Sequence, residues 1–180
     1  MNLLTARDSA RLSERYGTIR IDMHEFFADI SHSPWLGYPA ITGRMFAALF
    51  FGALVGFERE RKNRAAGLRT HMLVCLASAS VAILTIEIAH MAPFETEAAR
   101  MDPVRLVEAV TGGVAFLAAG FIVFANGKVH GITTGAGMWL AGAIGLACGL
   151  GLLQIAAIAT FLAIMVLWIL GRMQAQMDRE

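Results

Sequence analysis

The sequence predicts an all-α membrane protein, a polytopic bundle of about five transmembrane helices preceded by a short amphipathic N-terminal helix. Composition is the first reason, since 57% of the 180 residues are hydrophobic and the mean hydropathy is +0.59, more apolar than a soluble core requires. The second is that the apolar residues fall into long runs separated by charged, proline-bearing or glycine-bearing breaks. The third is the stretch from Gly131 to Leu170, which at about 40 residues is twice what one crossing needs and must fold back once.

Residues 1–38 form a polar leader outside the bilayer, and the chain's start lacks the apolar run of a cleavable secretory signal. Met23, Phe26, Phe27 and Ile30 recur at helical spacing opposite Asp22, Glu25 and Asp29, which predicts a helix able to lie flat on the membrane. A frayed leader, or a start codon placed too early, is the competing reading.

The transmembrane domain is expected over residues 39–171. Its first span runs from about Pro39 to Phe57 behind the headgroup-level aromatics Trp35 and Tyr38, with Arg44 near enough to the start to snorkel. Glu58, Arg59, Glu60, Arg61, Lys62, Asn63 and Arg64 then end it, because such a charge run cannot remain in hydrocarbon. A second span covers about Arg69 to Ala89 and gives way to a polar loop containing Pro93, Glu95, Glu97, Arg100, Asp102 and Pro103. A third, about Val104 to Ala125, is closed by the turn Asn126, Gly127, Lys128. The fourth extends from near Gly131 to Gly149, and Gly149, Leu150 and Gly151 turn the chain into a fifth span from about Leu152 to Leu170. Trp168 and Arg172 anchor its exit, leaving residues 172–180 as a short tail.

Basic residues near span ends set the orientation. Arg59, Arg61, Lys62, Arg64, Arg69, Lys128 and Arg172 fall on one side, and Arg44, Arg100 and Arg105 on the other. The richer side is expected in the cytoplasm, placing the amino terminus outside; Arg7, Arg11 and Arg15 oppose this but lie more than about 20 residues from a span, where the rule weakens.

A formal charge of +1 gives nucleic acid no electrostatic reason to bind, so the lipid bilayer is the first partner. Cys75 and Cys148 stand alone in apolar runs, without the close Cys or His of a zinc site, and read as packing residues at different depths. There is no nucleophile with a plausible base, no metal-ligand cluster and no phosphate-binding glycine loop, so neither an enzyme nor a cofactor is expected. Gly52 and Gly56, Gly131 and Gly135, and Gly145 and Gly149 are each spaced to share a helix face, which predicts close backbone packing in lipid.

The candidate functional surface lies at the cytoplasmic end. Glu58, Arg59, Arg69, Thr70, His71, Asn126, His130, Thr133 and Thr134 gather there, where the second and fourth helices present their amino termini. Such termini beside an Arg suit a phosphate, an anionic lipid headgroup or an acidic patch on another protein. The plainer alternative pairs Arg69 with Glu58 or Glu60, uses the threonines as caps and leaves the basic run to fix topology. His71 and His130 are isolated by sequence and more often structural. Glu87 and Glu108, the carboxylates within spans, offer a weaker cation or proton site if they face each other.

These residues also carry a family resemblance. GALVGFERERKNRAAGLRTHMLVCLASAS, from Gly52, resembles the signature region of the MgtC/SapB membrane proteins, a basic loop followed by Gly-Leu-Arg-Thr-His. DPVRLVEAVTGGVAFLAAGFI from Asp102 and HGITTGAGMWLAGAIGLACGLG from His130 are similar to the family's next two blocks, in order. The departures are a less glycine-rich third span, Glu108 where the family commonly has an uncharged residue, the long leader, and a chain ending at Glu180 without the carboxyl-terminal domain of virulence-associated members. The resemblance implies a bacterial inner-membrane protein linked to growth under magnesium limitation. It further implies a regulator that binds a membrane complex such as ATP synthase, with a transporter of a small ion or solute such as Mg2+ as the rival.

Overall fold

A computed structural model describes residues 33–91, 102–125 and 127–177. The leader helix, Asn126 and the acidic loop before Asp102 lie outside the described residues. Five helices and one small hairpin follow in order: α1 Tyr38–Arg61, α2 Leu68–Ala89, α3 Pro103–Ala119, β1 Val123–Ala125, β2 Lys128–His130, α4 Ile132–Gly149 and α5 Leu153–Met177.

Local chemistry sets the helix ends. Pro39 opens α1, where its missing N–H costs nothing. Asn63 takes a left-handed conformation (φ 48°) beyond the other end, so that its own N–H reaches the Glu60 carbonyl and the Arg64 N–H the Arg59 carbonyl. That pattern is a Schellman cap. Gly151 (φ 82°) repeats it after α4, with Gly151 N–H bonding to Cys148 O and Leu152 N–H to Ala147 O. The turn expected at Gly149–Gly151 is therefore present, and it is short. Asp102 starts α3 by accepting a 2.9 Å hydrogen bond from the Val104 N–H, with Pro103 next to it.

The third helix is shorter than the sequence suggested. It ends at Ala119 instead of near Ala125, and residues 123–125 pair antiparallel with 128–130 in a hairpin, Val123 opposite His130 and Phe124 opposite Val129. Gly131 (φ 86°) closes the return: a Cβ there would run into the Phe121 backbone carbonyl. The Asn126–Gly127 dipeptide between β-branched and aromatic residues was the readable signal, because Asn-Gly favours a two-residue hairpin over a helix-to-helix turn.

Helices α1, α2 and α4 are long and apolar enough to cross a membrane, and α5 carries a shorter apolar segment, Leu153–Ile169. At 17 residues, α3 is about 25 Å long, short of the roughly 30 Å hydrocarbon core. Helix α4 is the hub and packs against all four others. Of its apolar window 61% is buried, against 22% for α1. Phe46, Phe50, Trp139, Phe116 and Phe161 point outward, as side chains bathed in lipid should.

Small residues bring the helices together. A Cβ on Gly52 would meet the His71 carbonyl and the Cys75 side chain, and one on Gly56 would meet the Leu68 backbone, so α1 and α2 touch nearly backbone to backbone. Gly145 abuts the Cys75 backbone and Gly149 the Ala79 backbone, which sets α2 and α4 parallel. Gly135 faces the Ala118 carbonyl of α3. Cys75 Sγ donates to Ala141 O at 3.0 Å. Gly145 lies level with Cys75, and Cys148 follows about one turn further along α4, so the two thiols are offset by roughly 4.5 Å along the helix axis.

Candidate functional site

The ends of α1 and α2 joined by residues 62–67, the ends of α3 and α4 joined by the hairpin, and the last turns of α5 form one rim of the bundle. This basic rim holds most of the residues singled out from the sequence.

Its framework is a charged relay on α1. Glu58 accepts a 2.9 Å hydrogen bond from Arg59 Nε through one oxygen and forms a 2.7 Å ion pair with Lys62 through the other. Arg59 is only 3% exposed, so its guanidinium is inside the protein, and Lys62 donates onward to the Leu167 carbonyl at 3.0 Å. Lys62 thereby ties α1 to α5, passing over Gly171, where a Cβ would collide with the ammonium.

Glu60 performs a second task. Its carboxylate accepts a 2.9 Å hydrogen bond from the Leu68 N–H and occupies the space beside Gly67 where a Cβ would stand. An anion at the first free N–H of α2 neutralises the positive end of that helix, and only glycine at position 67 admits it. The Gly-Leu-Arg-Thr-His segment thus has a local physical logic. Gly67 also offers its carbonyl to Thr70 Oγ1 at 3.2 Å and to His71 Nδ1 at 2.8 Å. Because Nδ1 donates to that carbonyl, the neutral ring presents a lone pair at Nε2.

The predicted surface residues separate into two groups. Arg59, His71 and Thr134 are buried, Glu58 and Thr70 half-buried, and all line the rim's interior side. Arg69, His130 and Thr133 are exposed on its outside, and Asn126 lies outside the described residues. Among the described residues Arg69 forms no ion pair with Glu58 or Glu60; Glu58 is held by Arg59 and Lys62, and one Glu60 oxygen by the Leu68 N–H. Neither threonine caps α4; its N-cap is Gly131, without a side-chain bond. Glu60, Lys62 and Gly137 belong to the site and were not singled out as such. Glu60 was legible as a carboxylate eight residues before a helix start, but Gly137 was not, since its role depends on facing His71 across helices.

At the opposite rim, Glu87 is engaged with backbone. Both Glu87 oxygens accept backbone hydrogen bonds, from Trp35 N–H at 2.9 Å and Leu36 N–H at 3.1 Å, while Glu108 is exposed on α3. Trp35 also stacks on His90 with ring centroids 3.8 Å apart. Glu87 fastens the segment before α1 to the end of α2. Glu87→Ala should cost about 1–2 kcal/mol and speed hydrogen exchange at the Trp35 and Leu36 amides; unchanged exchange there would refute this fastening. Arg44 acts similarly, donating from Nη1 to the Gly149 carbonyl at 2.9 Å, at the negative end of α4.

Apolar helices joined by glycine faces, with charge confined to the rims, define an integral membrane helix bundle. The MgtC family profile matches residues 45–176, and the chain belongs to that family. It is 34% identical over 119 residues to Protein MgtC of Brucella abortus, covering 66% of this chain and 46% of that protein. It is 35% identical over 133 residues to Protein SapB of Bacillus subtilis (73% and 56%) and 33% identical over 121 residues to the Putative magnesium transporter YhiD of Escherichia coli (67% and 55%). The chain spans about half the length of the first curated relatives it matches. No solved structure matches it significantly.

Proposed function

We propose that this chain is a regulator in the bacterial inner membrane, acting in ion homeostasis when magnesium is scarce by binding an anionic group or an acidic surface of a membrane complex at its basic rim. That rim faces the cytoplasm and the amino terminus lies outside, in keeping with the placement of basic residues. The link to magnesium comes from the family and from the printed name of one relative. The observation that carries the regulatory reading is the arrangement of charge: Arg59, Lys62 and Glu58 form a built cluster at the rim, whereas Glu87 has both oxygens engaged with backbone and Glu108 is exposed on α3. ATP synthase is one complex of the required kind.

Transport of Mg2+ is the rival, favoured by the name of the Escherichia coli relative. Proteoliposomes holding only this protein should show no Mg2+ flux, and crosslinking in native membranes should recover a membrane complex through rim positions such as Arg69 or Lys128. Flux that disappears in Glu87→Gln or Glu108→Gln would instead establish the transporter.

A further inference from the structure

The hairpin between α3 and α4 is left uncovered by the described residues. Val123–Ala125 and Lys128–His130 are exposed along their whole length, and so are Ile122 and Ile132 on either side. A two-stranded sheet alone in water is marginally stable at best, because no layer covers its apolar residues. Here those residues are large: Phe124 is 73% and Val129 51% exposed.

Strand pairing sorts the side chains. Residues directly opposite share a face and successive pairs alternate, so Phe124 and Val129 stand together on one side, and Lys128 and His130 on the other with Ala125 and Val123. One face of the sheet is therefore purely apolar, and the other carries the charge.

Two constraints fix the level at which the hairpin lies. With only two strands, its outer backbone edges have no ladder partner, and unpaired N–H and C=O groups are excluded from hydrocarbon. Its apolar face, in turn, is driven out of water. The boundary between acyl chains and headgroups meets both demands. Length gives the same level independently. Helix α3 starts at the exposed Asp102 cap and covers about 25 Å, so it stops about 5 Å short of the far side of a roughly 30 Å core, and residues 120–122 carry the chain on to Val123. Paired aromatic and basic side chains mark the headgroup level elsewhere on this rim, with the Arg172 guanidinium 4.0 Å from the Trp168 ring centroid and that of Arg61 6.0 Å from Phe57.

The geometry points to the hairpin as an anchor on the lipid surface, its Phe124–Val129 face set into the acyl-chain boundary and Lys128 raised to the phosphates. Charge selects the lipid: Lys128 joins Arg61, Arg64, Arg69 and Arg172, all exposed on the same rim, so anionic headgroups are favoured over zwitterionic ones. The anchor ties the junction of α3 and α4, the hub helix, to the membrane surface. The inference rests on the reading of the rim as an anion-binding surface and gives its hairpin a partner.

The test uses the full chain, one copy per nanodisc, with a nitroxide label on Phe124→Cys or Lys128→Cys. Both positions are exposed, and the native thiols of Cys75 and Cys148 are buried and stay unlabelled. The label at 124 should lie about 5–10 Å below the phosphates, open to oxygen and closed to a water-soluble nickel chelate, and the label at 128 should lie at the phosphates. Amides of the two strands should exchange roughly fivefold more slowly in phosphatidylglycerol than in phosphatidylcholine, and Lys128→Gln should remove that difference. A label at 124 as open to the chelate as the one at 128 would overturn the proposal. So would a label at 124 shielded from both reagents, since protein would then cover that face, or strand exchange indifferent to headgroup charge. Crosslinking from Arg69, on α2, to a membrane complex tests the regulatory reading separately, and neither result decides the other.

Discussion

Replacing Gly145 by alanine should leave little correctly assembled protein in the membrane. The added carbon would land on the Cys75 backbone, where no side-chain rotation can relieve the clash, so α2 and α4 must separate along their whole contact. Overpacking a core usually costs about 1–3 kcal/mol, and a clash with backbone belongs at or beyond the upper end. In lipid the loss is not recovered by burying apolar surface elsewhere, because close packing is itself the main source of helix association. Gly112→Ala and Gly113→Ala are the controls: nothing lies within 4 Å of a Cβ at either site, so each should be neutral or gain up to about 1 kcal/mol from helix propensity. Size-exclusion profile and melting temperature in detergent would decide, and a stable Gly145→Ala protein would refute the α2–α4 contact.

Removing Glu58 should be nearly as damaging. Glu58→Ala strips Arg59 of its carboxylate inside the protein and releases Lys62, and breaking a buried pair costs about 3–5 kcal/mol because the remaining charge stays unpaired. Replacing both partners, as Glu58→Leu with Arg59→Met, should restore most of that stability, since an apolar pair has no charge to desolvate. Urea or thermal unfolding in detergent reads both effects; a single variant as stable as the double would show that Arg59 is solvated and that the pair is not buried.

Much of the bundle was legible from the sequence. Span lengths, the charge run after Phe57 and the turn around Gly151 are properties of contiguous residues, and the structure places the ends of α1, α2 and α4 within a few residues of where they suggest. The hairpin at residues 123–130 was obscured because Ile122, Val123 and Phe124 extend the apolar run of α3, so hydropathy outweighed the Asn-Gly signal. The candidate site was legible as a set of residue types at one end, but its internal wiring was not. Glu60 is used on a helix start across a loop, and Glu87 is used on backbone of another segment; neither pairing follows from spacing.

The sequence by itself determined that this is a membrane bundle with its charge at the rims, because the cost of placing polar groups in hydrocarbon applies residue by residue and leaves its mark in composition. Tertiary structure alone decided which faces meet. Four-residue spacing puts two glycines on one side of a helix, but only the rotation and axial shift of α4 against its neighbours sets Gly145 on Cys75 and Gly137 on His71, while Gly112 and Gly113 face open space. Contact between helices depends on the positions of two elements at once, and a periodicity along one of them does not contain that information.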